Sequence, residues 1–239
     1  VNLPTDRAPL GLAPGGVALM VATHPDDETL GAGGTLHRMA QAGLTVHVLA
    51  VACCTHRMWG GYSDVALRTK EFHAACDALG VAGRAIGWAD DDRARAPGRH
   101  QKELVDLVES GTEVSLTQVA PDVLLMPAGN AFHQDHRAVH AACLAAVRPG
   151  GSARPTPRIV LGYAGPEDSW TPNAEQWSVF VDTTASWPAK GKALAAYGSQ
   201  LRGDGHPRSV SAIRTLDAAH GISIGVPFAE RFVPYRVAS

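Results

Sequence analysis

With 239 residues, 45% of them hydrophobic and 18% charged, the chain has globular composition and enough length to bury a full core. Its formal net charge of −2 excludes the strong positive field that nucleic acid or an anionic membrane would require of a main partner. No apolar run reaches the roughly 18 residues of a membrane span, and no basic-then-apolar leader opens the sequence.

In chain order, residues 1–16 are rich in Pro and Gly and predict irregular backbone. The unbroken apolar run Val17–Ala22 predicts a strand covered on both faces. Leu30, Leu36 and Met39 at helical spacing, stopped by Gly43, predict a helix over 29–41. A strand over 45–52 is followed by a loop over 56–64 that contains Trp59, Gly60, Gly61 and Tyr62. Leu67, Phe72, Ala75, Cys76 and Leu79 line one side of a helix over Val65–Leu79. Residues 84–88 read as a short strand, and Asp90, Asp91 and Asp92 open a polar loop. Residues 101–119 are helical with a break at Gly111, and 123–126 form a strand. A loop over 127–132 then leads to a helix over 135–147, closed by Pro149, Gly150 and Gly151. Ile159–Tyr163 and Val179–Asp182 are later strands, and 185–201 reads as a helix despite Pro188 and Gly191. Beyond 201 the pattern is mixed.

This alternation of strand and helix predicts an α/β three-layer sandwich with a largely parallel sheet. The flexible stretch 150–157 is too short to separate two domains, so the expectation is one domain over 1–239 with its core at about 17–201. Cys53, Cys54, Cys76 and Cys143 contain no CxxC pair, which argues against a zinc-thiolate knot. They read as buried thiols of a cytoplasmic protein.

Two polar clusters stand just past predicted strand ends. Positions 24–28 read His-Pro-Asp-Asp-Glu, and positions 133–136 read His-Gln-Asp-His. In such a sheet the carboxyl ends of the strands share one edge, so the clusters can converge there. A strand-to-helix turn splays neighbouring side chains, which lets His24 and Asp27 bind a metal while Asp26 stays off it as a general base. The structural alternative is that Asp26, Asp27 and Glu28 merely place negative charge on the first turn of a helix. His136 supplies a third ligand, completing the inventory of a hydrolytic zinc centre with one open position. His133 can face the site as a proton donor or as an oxyanion stabiliser, with Asp135 holding its imidazole in one tautomer. His140, one helical turn after His136, reads as a core or surface residue.

The pentapeptide His24 to Glu28, preceded by Ala22-Thr23 and followed by Leu30-Gly31, resembles the signature of the PIG-L/LmbE-like zinc N-deacetylases. His133, Asp135 and His136 resemble the second signature of that family. Weaker likenesses lie at Arg68 and Glu71, at Leu79-Gly80-Val81, over 86–90, and at Tyr197, Ser199 and Gln200. The resemblance implies a Rossmann-like fold and hydrolysis of an N-acetyl group from an amino sugar. It implies Zn2+ bound by His24, Asp27 and His136, and Asp26 as base and then acid. It also implies His133 at the oxyanion, tuned by Asp135, and Arg68 and Asp90 on sugar hydroxyls. Trp59 and Tyr62 read first as packing residues, and as candidates to stack on a sugar if Gly60 and Gly61 let the loop act as a lid. Some members carry a tyrosine two residues before His133, where this chain has Ala131. The family's substrates include N-acetylglucosaminyl-inositol in mycothiol synthesis and glycopeptide antibiotics. The resemblance and the tryptophans Trp59, Trp170 and Trp177 favour a teicoplanin-type pseudoaglycone, with a mycothiol-type substrate or a thiol-conjugate amide as the alternative.

Other chemistries fit less well. Gly31, Gly33 and Gly34 follow a strand but miss the dinucleotide-binding spacing, and a pyrophosphate there would meet three carboxylates. No G-x-S-x-G elbow marks a serine hydrolase. A non-catalytic sugar-binding protein would have no use for the spare carboxylate of Asp26.

Overall fold

In a computed structural model, the described residues are 8–58, 61–89, 99–151, 154–170 and 175–238. Strand β1 (Val17–Ala22) leads into helix α1 (Asp27–Gln41), then β2 (Thr45–Cys53). A small hairpin of β3 (His56–Met58) and β4 (Gly61–Ser63) precedes α2 (Val65–Leu79) and β5 (Gly83–Ala89). Next come α3 (Gln101–Ser110), α4 (Leu116–Val119), β6 (Val123–Pro127), α5 (Gln134–Ala146) and β7 (Ile159–Tyr163). The chain ends with β8 (Val179–Asp182), α6 (Trp187–Ala196), α7 (Val210–Ile222) and β9 (Ala229–Val237).

Seven strands form one sheet in the order β5-β2-β1-β6-β7-β9-β8. The first five run parallel, and β9 is antiparallel to both of its neighbours. Successive residues of a strand face opposite sides, so the apolar run of β1 divides between two cores. Ala18, Met20 and Ala22 pack under α1, α2 and α6 with Leu36, Phe72 and Ala193. Leu19 and Val21 pack on the other side under α3 and α5 with Leu107, Val139 and Cys143. This is the three-layer sandwich expected from the sequence.

The differences have local causes. The predicted loop over 56–64 holds the two-stranded hairpin, paired His56 to Ser63 and Arg57 to Tyr62. At Gly111 the chain leaves the helix and returns to α4 only after Ser115 has bonded the Leu107 carbonyl. The helix expected over 185–201 starts as a 3-10 turn at Thr184–Ser186, takes Pro188 in its first turn, and ends at Ala196. The sheet also continues past residue 201, because β9 inserts between β7 and β8. Among the described residues no helix is long and apolar enough to cross a membrane.

The glycines after the first motif serve packing. A Cβ at Gly31 would clash with Cδ2 of Tyr163, which is 1% exposed, and one at Gly34 would sit 2.7 Å from Thr183 Cβ. They let α1 lie close against β7 and the Thr183 turn, where a phosphate cradle would need open space. Gly31→Ala is therefore expected to lower unfolding stability by about 1–3 kcal/mol, the usual cost of overpacking, in urea denaturation.

Candidate metal centre

The chain passes from β1 to β2 on one side, while β6 flanks β1 on the other. The strand order thus reverses between β1 and β6, and the crevice outside their carboxyl ends is where such sheets bind ligands. The 24–28 segment leaves the end of β1, and the 133–136 segment opens α5 after β6. His24, Asp27 and His136 each present one donor atom there, all within 4.8 Å of one another. His136 Nε2 lies 3.3 Å and His24 Nδ1 3.8 Å from Asp27 Oδ2. Ligands about 2.0–2.1 Å from a tetrahedral zinc stand roughly 3.3 Å apart, so the Asp27–His136 pair already has the spacing for such an ion and His24 would move inward to complete it. The charges agree. Burial alone would raise Asp27, but His136 and His24 outweigh it and hold the carboxylate well below its ordinary range. Burial would lower His136, and Asp27 reverses that.

Asp26 is held apart from these donors. Its φ of +116° is unusual for a residue with a Cβ, and it turns the side chain away from that of Asp27. The conformation is secured by Glu28, whose Oε2 accepts from the Asp26 amide at 3.0 Å. Glu28 Oε1 in turn accepts from the hydroxyls of Thr29 and Tyr197, at 2.6 and 2.7 Å. Burial pushes Glu28 up to about 7 against those hydrogen bonds. Arg68 donates to the Pro25 carbonyl and approaches Asp26 Oδ2 at 3.5 Å. Arg208 Nη1 reaches the same oxygen at 3.0 Å. Burial raises Asp26, with Arg208 and Arg68 opposing.

These contacts give the weaker sequence likenesses a physical meaning. Arg68 faces Asp26, and Glu71, one turn later on α2, accepts from the Ser199 amide and hydroxyl at 2.8 and 2.6 Å. The Tyr197 to Ser199 segment is thereby tied to both Glu28 and α2. It is a scaffold around the first motif.

His133 caps α5, its Nδ1 accepting from the Asp135 amide at 3.2 Å. With Nδ1 accepting, the neutral ring carries its proton on Nε2, where it can donate to a substrate. Burial, aided by His24, lowers His133 and favours that neutral form. The expected partnership of Asp135 needs correction. Its Oδ2 lies 3.0 Å from His24 Nε2, whereas its Oδ1 is 3.8 Å from His133 Nδ1. The start of α5 turns the carboxylate towards β1, so the side chain orients His24 as a carboxylate behind a metal-binding histidine does. Only the backbone of Asp135 fixes the His133 tautomer.

The site opens into a cleft of about 360 Å³ lined by His24, Asp26, His56, Arg68, His133 and Arg208, among others. Arg68, expected at sugar hydroxyls, lines this cleft but is 5% exposed, with its guanidinium turned to Asp26. Tyr62 is 65% exposed and does not line the cleft. Trp59 and Asp90 lie outside the described residues. His140, half-buried, bonds the Pro127 carbonyl at 2.8 Å and packs edge-on against Tyr235. Arg208 escaped the sequence reading, because it comes from the mixed segment after 201 and carries no local motif.

The family model described as PIG-L, GlcNAc-PI de-N-acetylase, matches residues 19–147, more than half of the chain and both His/Asp clusters. The chain belongs to the PIG-L family. Among curated PIG-L-like relatives is a 1D-myo-inositol 2-acetamido-2-deoxy-alpha-D-glucopyranoside deacetylase of Mycolicibacterium smegmatis. It is 28% identical, over 77% of this chain and 79% of the relative. Of solved structures, a conserved protein of Thermus thermophilus, TT1542, superposes with a TM-score of 0.71 at 28% identity. That match covers 90% of this chain and 93% of the other. A deacetylase in the biosynthesis pathway of teicoplanin superposes with a TM-score of 0.69 at 21% identity, over 91% of this chain and 97% of the other, a likeness of fold.

Proposed function

We propose that this PIG-L protein is a zinc-dependent hydrolase that removes the N-acetyl group from an N-acetylglucosaminyl substrate. The observation that carries the reading is the convergence of His24, Asp27 and His136 on one point, beside a buried carboxylate that takes no part in it. A zinc ion held by those three residues would acidify a water and polarise the amide carbonyl. The protein's own groups do the rest. Asp26 takes the proton of the attacking water. The Nε2–H of His133 donates to the oxyanion as amide resonance is lost, where charge stabilisation matters most. Asp135 keeps His24 oriented. Asp26 then returns the proton to the nitrogen, the C–N bond breaks, and the free amine and acetate leave.

The N-acetylglucosaminyl-inositol acted on by the curated relative is a first choice of substrate. A separate observation favours a bulkier apolar aglycone of the teicoplanin pseudoaglycone kind. Trp170 is 71% exposed, Phe132 is 38% exposed, and the two rings lie 5.8 Å apart, with Phe132 edge-on to His133. A reducing, cytoplasmic setting is proposed because none of the four cysteines forms a disulfide.

The test is acetate release from both substrate classes after chelation and again after zinc is restored. Activity should vanish and return with zinc, and the better kcat/KM identifies the aglycone. His24→Ala is expected to weaken zinc binding by at least about 100-fold, the upper end of what changes behind a ligand cost, and to lose turnover with it. Full turnover in chelated protein would refute the metal reading.

A further inference from the structure

We infer that Arg208 is a positioning residue for Asp26, fixing the carboxylate through Oδ2 so that Oδ1 is the atom that receives the proton. This rests on the deacetylase reading above. Both guanidiniums near Asp26 address the same oxygen, Arg208 Nη1 at 3.0 Å and Arg68 Nη2 at 3.5 Å. Among the described residues Oδ1 makes no such contact. A carboxylate gripped through one oxygen keeps the other available and holds its rotamer.

Arg208 is itself braced. Its Nε donates to Glu167 Oε2 at 2.7 Å, on the 3-10 turn Pro166–Trp170. Its amide donates to His206 Nδ1 at 3.0 Å, and its carbonyl accepts from the Arg202 amide at 3.3 Å. The next residue, Ser209, caps α7 by accepting from the Ala212 amide at 3.1 Å. The guanidinium plane is therefore set between two carboxylates from distant parts of the chain. Arg68 is anchored differently, through the Pro25 carbonyl, so Arg208 makes the shorter contact to the base. The consequence is kinetic. A general base works only within hydrogen-bond reach of its proton, and a displacement of about 1 Å can cost roughly 10²-fold in rate.

Arg208→Met should lower kcat by about 10²-fold while KM moves by less than about threefold and zinc affinity, measured by chelator competition, stays unchanged. Arg208→Lys should recover part of kcat, and added guanidinium should partly rescue Arg208→Gly. Glu167→Gln should lower kcat in the same direction by less. In an Asp26→Asn background, Arg208→Met should cost little more. A rise in KM with kcat intact would make Arg208 a substrate contact and overturn the inference, as would an undiminished kcat loss in the Asp26→Asn background. If the wild type releases acetate from no substrate, the deacetylase reading falls. The Arg208–Asp26 coupling is then measured by urea unfolding of the same four proteins, and additive effects would overturn it.

Discussion

Asp26→Asn should reduce kcat by about 10²- to 10⁴-fold, the range general acid–base catalysis contributes, while the protein still binds one zinc per chain. The geometry separates the two properties. Asp26 contributes no donor to the cluster of His24, Asp27 and His136, and its carboxylate points instead at Arg68 and Arg208. Asn has the same shape, is among the residues that best tolerate a positive φ, and keeps a carbonyl oxygen able to accept from the guanidiniums. The backbone should stay in place, because the amide that Glu28 grips is unaffected. What disappears is the ability to take a proton. Metal stoichiometry measured beside kcat decides the matter. If zinc content falls in step with turnover, Asp26 is a ligand and the division of labour within the pentapeptide is wrong.

The readable and unreadable parts of this chain differ for physical reasons. β1 and β6 are buried on both faces, so they appear as unbroken apolar runs, and the polar clusters after them announce a shared edge. The segment after 201 hides because its inward face mixes charged and apolar residues. α7 buries Ile213 and also Asp217, which the hydrophobic period of a helix does not reveal. β9 turns Glu230 inward and carries Pro234, which breaks strand alternation. The proline is tolerated where the register with β7 shifts, between the Val160–Arg236 and Leu161–Pro234 pairs. The hairpin from His56 to Ser63 has three-residue strands, too short for a period of two to register. The convergence of His24, Asp27 and His136 was legible as residue types at strand ends. The partner of Asp135 was not, since one residue of rotation at a helix start decides which histidine its carboxylate meets. Arg208 acts on Asp26 from 182 positions away, and only the folded chain brings them together.

That hidden polar interior carries the largest expected effect on stability. Lys190 is 0% exposed and donates to Asp217 and Glu230, both at 2.7 Å. Glu230 also accepts from the Gly34 and Thr35 amides, at 2.9 and 2.7 Å, so one group of charges joins α1, α6, α7 and β9. Lys190→Met should destabilise the protein by about 3–5 kcal/mol at pH 8, because it leaves two buried carboxylates without a cation. The deficit should depend on pH, and its sign follows from proton uptake. Burial already pushes Asp217 up to about 6, with Lys190 pulling against it. Without the ammonium, folded Asp217 is pushed higher still, while the unfolded carboxyl keeps its ordinary value of about 3.9. Between these values the folded state binds more protons than the unfolded one, so stability rises as pH falls. The wild type gains less over the same interval. The penalty for Lys190→Met should therefore shrink from pH 8 to pH 5, read from urea unfolding at each pH. A penalty that stays constant across that range would mean that the two carboxylates are not what the ammonium holds in place.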